Sequence, residues 1–222
     1  MELHEALTTT PSTREFTEQP VDNETVLRIL EVARFAPNGG NRQGWHVLVI
    51  RDPDTREALV AACDPIVRRY AAQGAAGEAP LNTIHPTRLD AATIAATPIP
   101  AGTVAHYRSA PVLLMLCLDL SVVASTDADL PRVGVISGAS IYPFAWSILL
   151  AARAEGLGGV LTTMPIGNEP ALQAILGIPP HVAIAAILPL GHPARAVSKL
   201  RRGPVADFAR LERWDGPRLG AD

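Results

Sequence analysis

Lysine occurs once in these 222 residues, at Lys199, and cysteine only twice, at Cys63 and Cys117. The cysteines stand far apart, and neither a CxxC nor an HExxH pattern is present, so no disulfide framework, zinc site or other metal is expected. Cys117, inside VLLMLCLDL, reads as a buried hydrophobe. No apolar run approaches the roughly 18 residues of a membrane span. The opening MELHEALTTT carries acidic residues where a signal peptide carries basic ones. The expectation is a soluble, cytoplasmic protein without a membrane partner. A net charge of −3 offers nothing to attract nucleic acid and leaves a small molecule or another protein as partner. A GxGxxG dinucleotide fingerprint is missing too.

What is present suits one globular domain spanning 1–222, with 48% apolar and 18% charged residues. Helix and strand patterns alternate. VDNETVLRILEVARFAP places Val26, Ile29, Leu30 and Ala33 at helical spacing, with Asp22 as N-cap and Pro37 as stop. HVLVIRD, PVLLMLCLDL and HVAIAAILPLGHP read as buried strands, and GGVLTTM as a further strand candidate. SIYPFAWSILLAARAEGLGG predicts a long helix ended by Gly156. It is apolar on nearly all sides, as for a helix buried in a domain or at a dimer interface. NEPALQAILG predicts a short helix between Asn168 as cap and Gly177 as stop. Residues 71–108 have little periodicity and suggest an inserted loop or lid, while the tail from about 199 to 222 is basic, then amphipathic.

Three stretches carry candidate chemistry. In APNGGNRQGWHVLVI a Gly pair permits close backbone approach, and Asn41 and Gln43 present donors and acceptors on flat amides. That suits the edge of a flavin or a purine, or simply a solvated tight turn. In PSTREFTEQPV, Ser12 and Arg14 point to one side if the chain is extended, which suits a polyol and an anion; alternatively Ser12 caps a helix. In KLRRGP, Lys199, Arg201 and Arg202 form the densest basic cluster, fitting a phosphate or a solvated face.

In this order the segments TPSTREF, APNGGNRQGWHVLVI, ILLAARAEGLGGVLTTM, LGIPPHVAIAAILPLGHP and KLRRGPV resemble those of the FMN-dependent nitroreductase family, over about residues 3–210. The resemblance implies an α+β nitroreductase-like fold, with a mixed central β-sheet flanked by helices, in an interlocked homodimer with flavin at the interface and a C-terminal arm around the partner. It assigns Ser12 to the ribityl chain and Arg14 to the N1/C2 carbonyl edge or the ribityl phosphate. Pro37, Asn38, Gly39, Asn41 and Gln43 would line the flavin, backbone groups of Thr162 and Thr163 would approach N5, and Lys199, Arg201 and Arg202 would take the phosphate. Ser140 and Tyr142 stand either near the partner's flavin or as ordinary helix-start residues.

The implied activity is an FMN-dependent oxidoreductase using NADPH or NADH to reduce nitroaromatic, quinone or activated-alkene acceptors in a two-stage hydride exchange. No catalytic acid or base stands out: six His are scattered without a triad-like context, His46 at a strand start reads as structural, and His85, His106 and Tyr107, in the lid-like region, could reach substrate. The chain departs from the pattern at Thr10 and Pro11, where basic residues are usual, at Asn38 for Ser and at Gly44 for Pro. Its middle region also has no Lys toward the flavin, which leaves the substrate open. Alternatives are a specialised flavoenzyme (biosynthetic dehydrogenase or oxidase, reductive dehalogenase, flavin-fragmenting enzyme), a non-catalytic flavin-binding protein, and a cofactor-free α+β domain.

Overall fold

The structure, a computed structural model, describes residues 2–195 and 200–220. In chain order its elements are α1 (Leu3–Thr9), α2 (Asn23–Ala33), β1 (Trp45–Ile50), α3 (Pro53–Ala75), α4 (Ala91–Ala96) and α5 (Ala105–Ser109). There follow β2 (Val112–Asp119), α6 (Tyr142–Ala154), β3 (Gly158–Gly159), α7 (Glu169–Leu176) and β4 (Val182–Gly191). Among the described residues no helix is long and apolar enough to cross a membrane.

β2 explains the architecture. All its residues from Val112 to Leu118 are buried, because the sheet is covered on both faces. Leu114, Leu116 and Leu118 pack with α2 and α6, whereas Leu113, Met115 and Cys117 pack with α3 and α7. The strand order is β1-β2-β4-β3, with every ladder antiparallel and a bulge at Leu116/Cys117. The fold is α+β, as expected. The mixed character anticipated for the sheet reduces to one isolated parallel bridge, Ser12 with Gly159.

α2 starts at its expected cap: Asp22 Oδ1 accepts from the Thr25 amide at 2.7 Å. It ends at Ala33, earlier than Pro37 suggested, with the Arg34 amide donating to Leu30. In α6 the face of Phe144, Ala145, Ile148, Leu149 and Ala152 is buried, Phe144 stacking on Trp45 at 4.6 Å, while Tyr142 and Trp146 reach solvent. α7 ends as predicted at Gly177, whose φ of 65° favours glycine. Its N-terminal Asn168, however, does not cap with its side chain, because Nδ2 donates to the Ala62 carbonyl of α3 at 3.0 Å.

The 71–108 stretch is anchored at both ends. Ala72 and Gln73 close the 23-residue α3, and His106, Tyr107 and Ala110 are buried beneath the start of β2. Between them, Glu78 organises the loop by accepting from Thr87 Oγ1 at 2.7 Å and the Arg88 amide at 2.9 Å. The tail over 200–220 has one short helical turn, Val205–Asp207, and an isolated bridge between Arg210 and Arg218, and leaves Phe208 and Trp214 exposed.

Candidate functional site

The segment holding Ser12 and Arg14 is extended, so the reading of Ser12 as a helix cap is set aside. The Thr13 amide donates to the Gly159 carbonyl at 2.8 Å, laying the segment along β3. That approach needs Gly158, while Gly159 is needed for the packing of β3 on β4. A Cβ on Gly158 would meet Thr13 Oγ1 at 2.6 Å, and one on Gly159 would meet the Pro189 carbonyl at 2.8 Å. Beside the segment lies a cavity of about 530 Å³ lined by Thr10, Ser12, Trp146, Leu161 and Arg202, among others. Thr10, standing where a basic residue was anticipated, is buried and donates to the Ala6 carbonyl at 2.7 Å. Of the basic cluster, Arg202 therefore lines the cavity. Arg201 is exposed and offers its carbonyl to Arg202, and Lys199 lies outside the described residues.

A second group adjoins the first through the chain itself, Arg14 following Ser12 and Thr162 following Leu161. The Thr162 amide donates to the Ile187 carbonyl at 3.0 Å, and its carbonyl accepts from the Ile187 amide at 2.9 Å. The backbone amide predicted to serve a ligand at Thr162 is thus already engaged in the sheet, and the hydroxyl is its remaining donor. Thr163 is exposed; among the described residues its amide has no partner, and its carbonyl accepts from the Ile166 amide at 3.0 Å. Tyr107, only 2% exposed, meets Thr162 Oγ1 at 2.7 Å through its phenol oxygen. Burial pushes that phenol far above its ordinary value. His106, whose ring lies 4.2 Å from that of Tyr107, is held neutral down to about pH 4 by burial and by the charge of Arg14. Its Nε2 is buried without a partner among the described residues.

The third group is the loop 37–43. It is built to a fixed shape: Asn38 Oδ1 accepts from the Gln43 amide at 2.9 Å, and the Gly39 amide donates to Ser140 Oγ at 3.4 Å. Asn38 therefore braces the loop. Asn41 and Gln43 adopt φ of 52° and 51°, a left-handed conformation costing about 1 kcal/mol each in residues with a Cβ. Both amides stay exposed, Gln43 Nε2 reaching Asn41 Oδ1 at 3.3 Å. Pro37 is exposed beside them. At Gly44 a Cβ would strike Val122 Cγ2 at 2.8 Å, so the packing of the 119–123 turn excludes proline there.

The first two groups adjoin along the chain, but no residue of the loop lines the cavity. The loop rests on Ser140, at the start of α6, whereas the cavity is walled by Trp146 and Leu149, the latter seven residues and roughly 10 Å along the axis from Tyr142. Ser140 is buried under the loop, while Tyr142 is half exposed. Sequence reasoning left the Tyr107–Thr162 contact unfound, since 55 residues separate the partners and neither carries a motif.

The profile of the Nitroreductase family matches residues 7–192. The chain belongs to the nitroreductase family. An NADH dehydrogenase of Thermus thermophilus is 33% identical, covering 87% of this family member and 88% of that protein. Human iodotyrosine deiodinase 1 is 24% identical over 92% of the chain and 66% of its own length. The solved NADPH:FMN oxidoreductase of Vibrio harveyi in complex with NAD+ gives a TM-score of 0.65 at 20% identity, covering 95% of this chain and 77% of that one. At that identity the last likeness speaks for the shared fold.

Proposed function

We propose that this nitroreductase-family chain is an FMN-dependent oxidoreductase that draws electrons from NADPH or NADH and delivers them to a small oxidised acceptor. The observation that carries the reading is the cavity of about 530 Å³, large enough for part of a cofactor, whose lining includes both Ser12 and Arg202. Ser12 would bind a polyol hydroxyl and Arg202 a phosphate, whose oxygens match its fork of donors. Arg14, next along the same extended segment, would put positive charge at the pyrimidine edge, where reduction places negative charge. The amide of Thr163 and the hydroxyl of Thr162 would supply donors on the neighbouring side.

The strained, exposed amides of Asn41 and Gln43 support a shared site. Held roughly 10 Å along α6 from the cavity wall, they would serve the flavin of a second copy across a two-fold axis. The bound flavin would supply hydride acceptance and donation; the protein's residues bind it, orient it and set the charge around it. Nitroaromatics, quinones and activated alkenes are the acceptor classes proposed. A second reading, reductive dehalogenation, is favoured by the match to iodotyrosine deiodinases over nine-tenths of the chain.

Titration of the apoprotein with FMN tests the binding site. Arg202→Ala should weaken affinity roughly tenfold or more, the loss of one charge-assisted contact; unchanged affinity would overturn the phosphate assignment. Release of iodide from iodotyrosine by the reduced protein, with slow turnover of a quinone, would favour the second reading over the first.

A further inference from the structure

Tyr107 is a buried polar residue that the proposed function leaves without a role. It belongs to the buried apolar cluster that includes Ala110 and Leu113, and its phenol's one hydrogen-bond partner among the described residues is Thr162 Oγ1, at 2.7 Å. A pair of hydroxyls can share a bond in either direction, but here the surroundings choose. An O–H buried in an apolar cluster loses heavily if it donates to nothing. The neighbouring His106 imidazole stacks obliquely on the phenol ring and makes no hydrogen bond with it, so it offers no competing acceptor. The phenol therefore donates and Thr162 Oγ1 accepts.

The Thr162 hydrogen must then point away from Tyr107. Nor can the residue use its backbone amide, because that is paired with Ile187. Thr162 is half-buried, between Leu161 on the cavity wall and the exposed Thr163. We propose that Tyr107 is a positioning residue: by donating to Thr162 it turns the threonine hydroxyl into a fixed hydrogen-bond donor to a ring carbonyl oxygen of the bound flavin. This rests on the flavin reading above. A carbonyl oxygen stays an acceptor and gains negative charge on reduction, unlike N5, which becomes an N–H; a fixed donor there stabilises the reduced form, so Tyr107 raises the reduction potential of the cofactor without touching it. With its proton held far above the physiological range by burial, the phenol keeps the same polarity of donation across working pH.

The test compares the FMN-loaded wild type with Tyr107→Phe, Thr162→Val, the double variant and Thr162→Ser. The midpoint potential and the FMN dissociation constant are measured for each, and thermal melting of each apoprotein confirms folding. Tyr107→Phe should favour the oxidised over the reduced flavin by about tenfold, a shift of about 30 mV to more negative potential for a two-electron couple. Thr162→Val should shift it at least as far, the double variant no further than Thr162→Val, and Thr162→Ser should restore the wild-type value. Additive shifts, or no shift in a folded Tyr107→Phe that still binds FMN, would overturn the role of Tyr107 alone. A wild type that takes up no FMN would overturn the flavin reading and this inference together.

Discussion

Arg56 is a guanidinium only 7% exposed with no carboxylate paired to it among the described residues. It donates instead to the carbonyls of Ile50, Arg108, Ala110 and Pro111, tying the end of β1 to the entry of β2. Removing the guanidinium takes its donors from the carbonyls of Ile50, Arg108 and Ala110 and leaves Pro111 only Arg51 at 3.4 Å, so Arg56→Met should cost about 3 kcal/mol or more in urea unfolding. Lysine, a point donor without the fork, should recover only part of it. His106 gives a pH prediction. Its folded pKa of about 4 lies below the unfolded value of about 6.5, so the unfolded chain binds the extra proton first as pH falls. The folded protein therefore loses stability from pH 6.5 downward, on the order of 2 kcal/mol by pH 4.5 from this residue. His106→Gln should unfold with a correspondingly shallower pH dependence over that window; an identical slope would contradict the assignment of a neutral imidazole.

At the scale of elements, the loop after β2 is held by a single carboxylate. Asp127, 3% exposed, accepts from Arg132 Nη1 at 2.7 Å, the Val135 amide at 2.8 Å and Ser125 Oγ at 3.0 Å, and these donors hold it far below the usual carboxylate range. Asp127→Ala should speed amide hydrogen exchange across 125–136 while leaving β4 protected; unchanged exchange in the loop would show that other contacts hold it. Where pattern and cap agreed, as in α2 with Asp22 or α7 with Gly177, the sequence was a sufficient guide. α3 escaped notice because Ala and Arg blur its periodicity and Pro65 interrupts it, so its stability comes from packing on the turn Met164–Asn168 and on α4, α5 and α7. Asn168 misled for a related reason: its amide satisfies a carbonyl of α3, a demand invisible from local spacing. Ser12 and Arg202, which line one cavity, could be singled out because each sits in a short local motif. The engagement of Thr162 with Ile187 and Tyr107 was not, since both contacts cross the sheet.

For the whole molecule, the exposed apolar residues Leu3 and Leu7 of α1, Leu27 of α2, and Tyr142 and Trp146 of α6 argue for a covered face. The protein should sediment at twice the 23.5 kDa chain mass. If each flavin uses Arg202 of one protomer and Asn41 of the other, Arg202→Ala and Asn41→Ala proteins should each bind FMN poorly. Dissociated and re-annealed together, they should recover about a quarter of the tight sites, those of the mixed dimers. No recovery would place both residues in the same protomer's site, against the geometry along α6. The central claim, a flavin reducible by a nicotinamide, is tested most directly by the visible spectrum of the purified protein before and after anaerobic addition of NADPH and then NADH. Paired flavin bands that bleach with one donor are the predicted result; a protein that stays colourless after incubation with FMN, or whose flavin neither donor reduces, would contradict it.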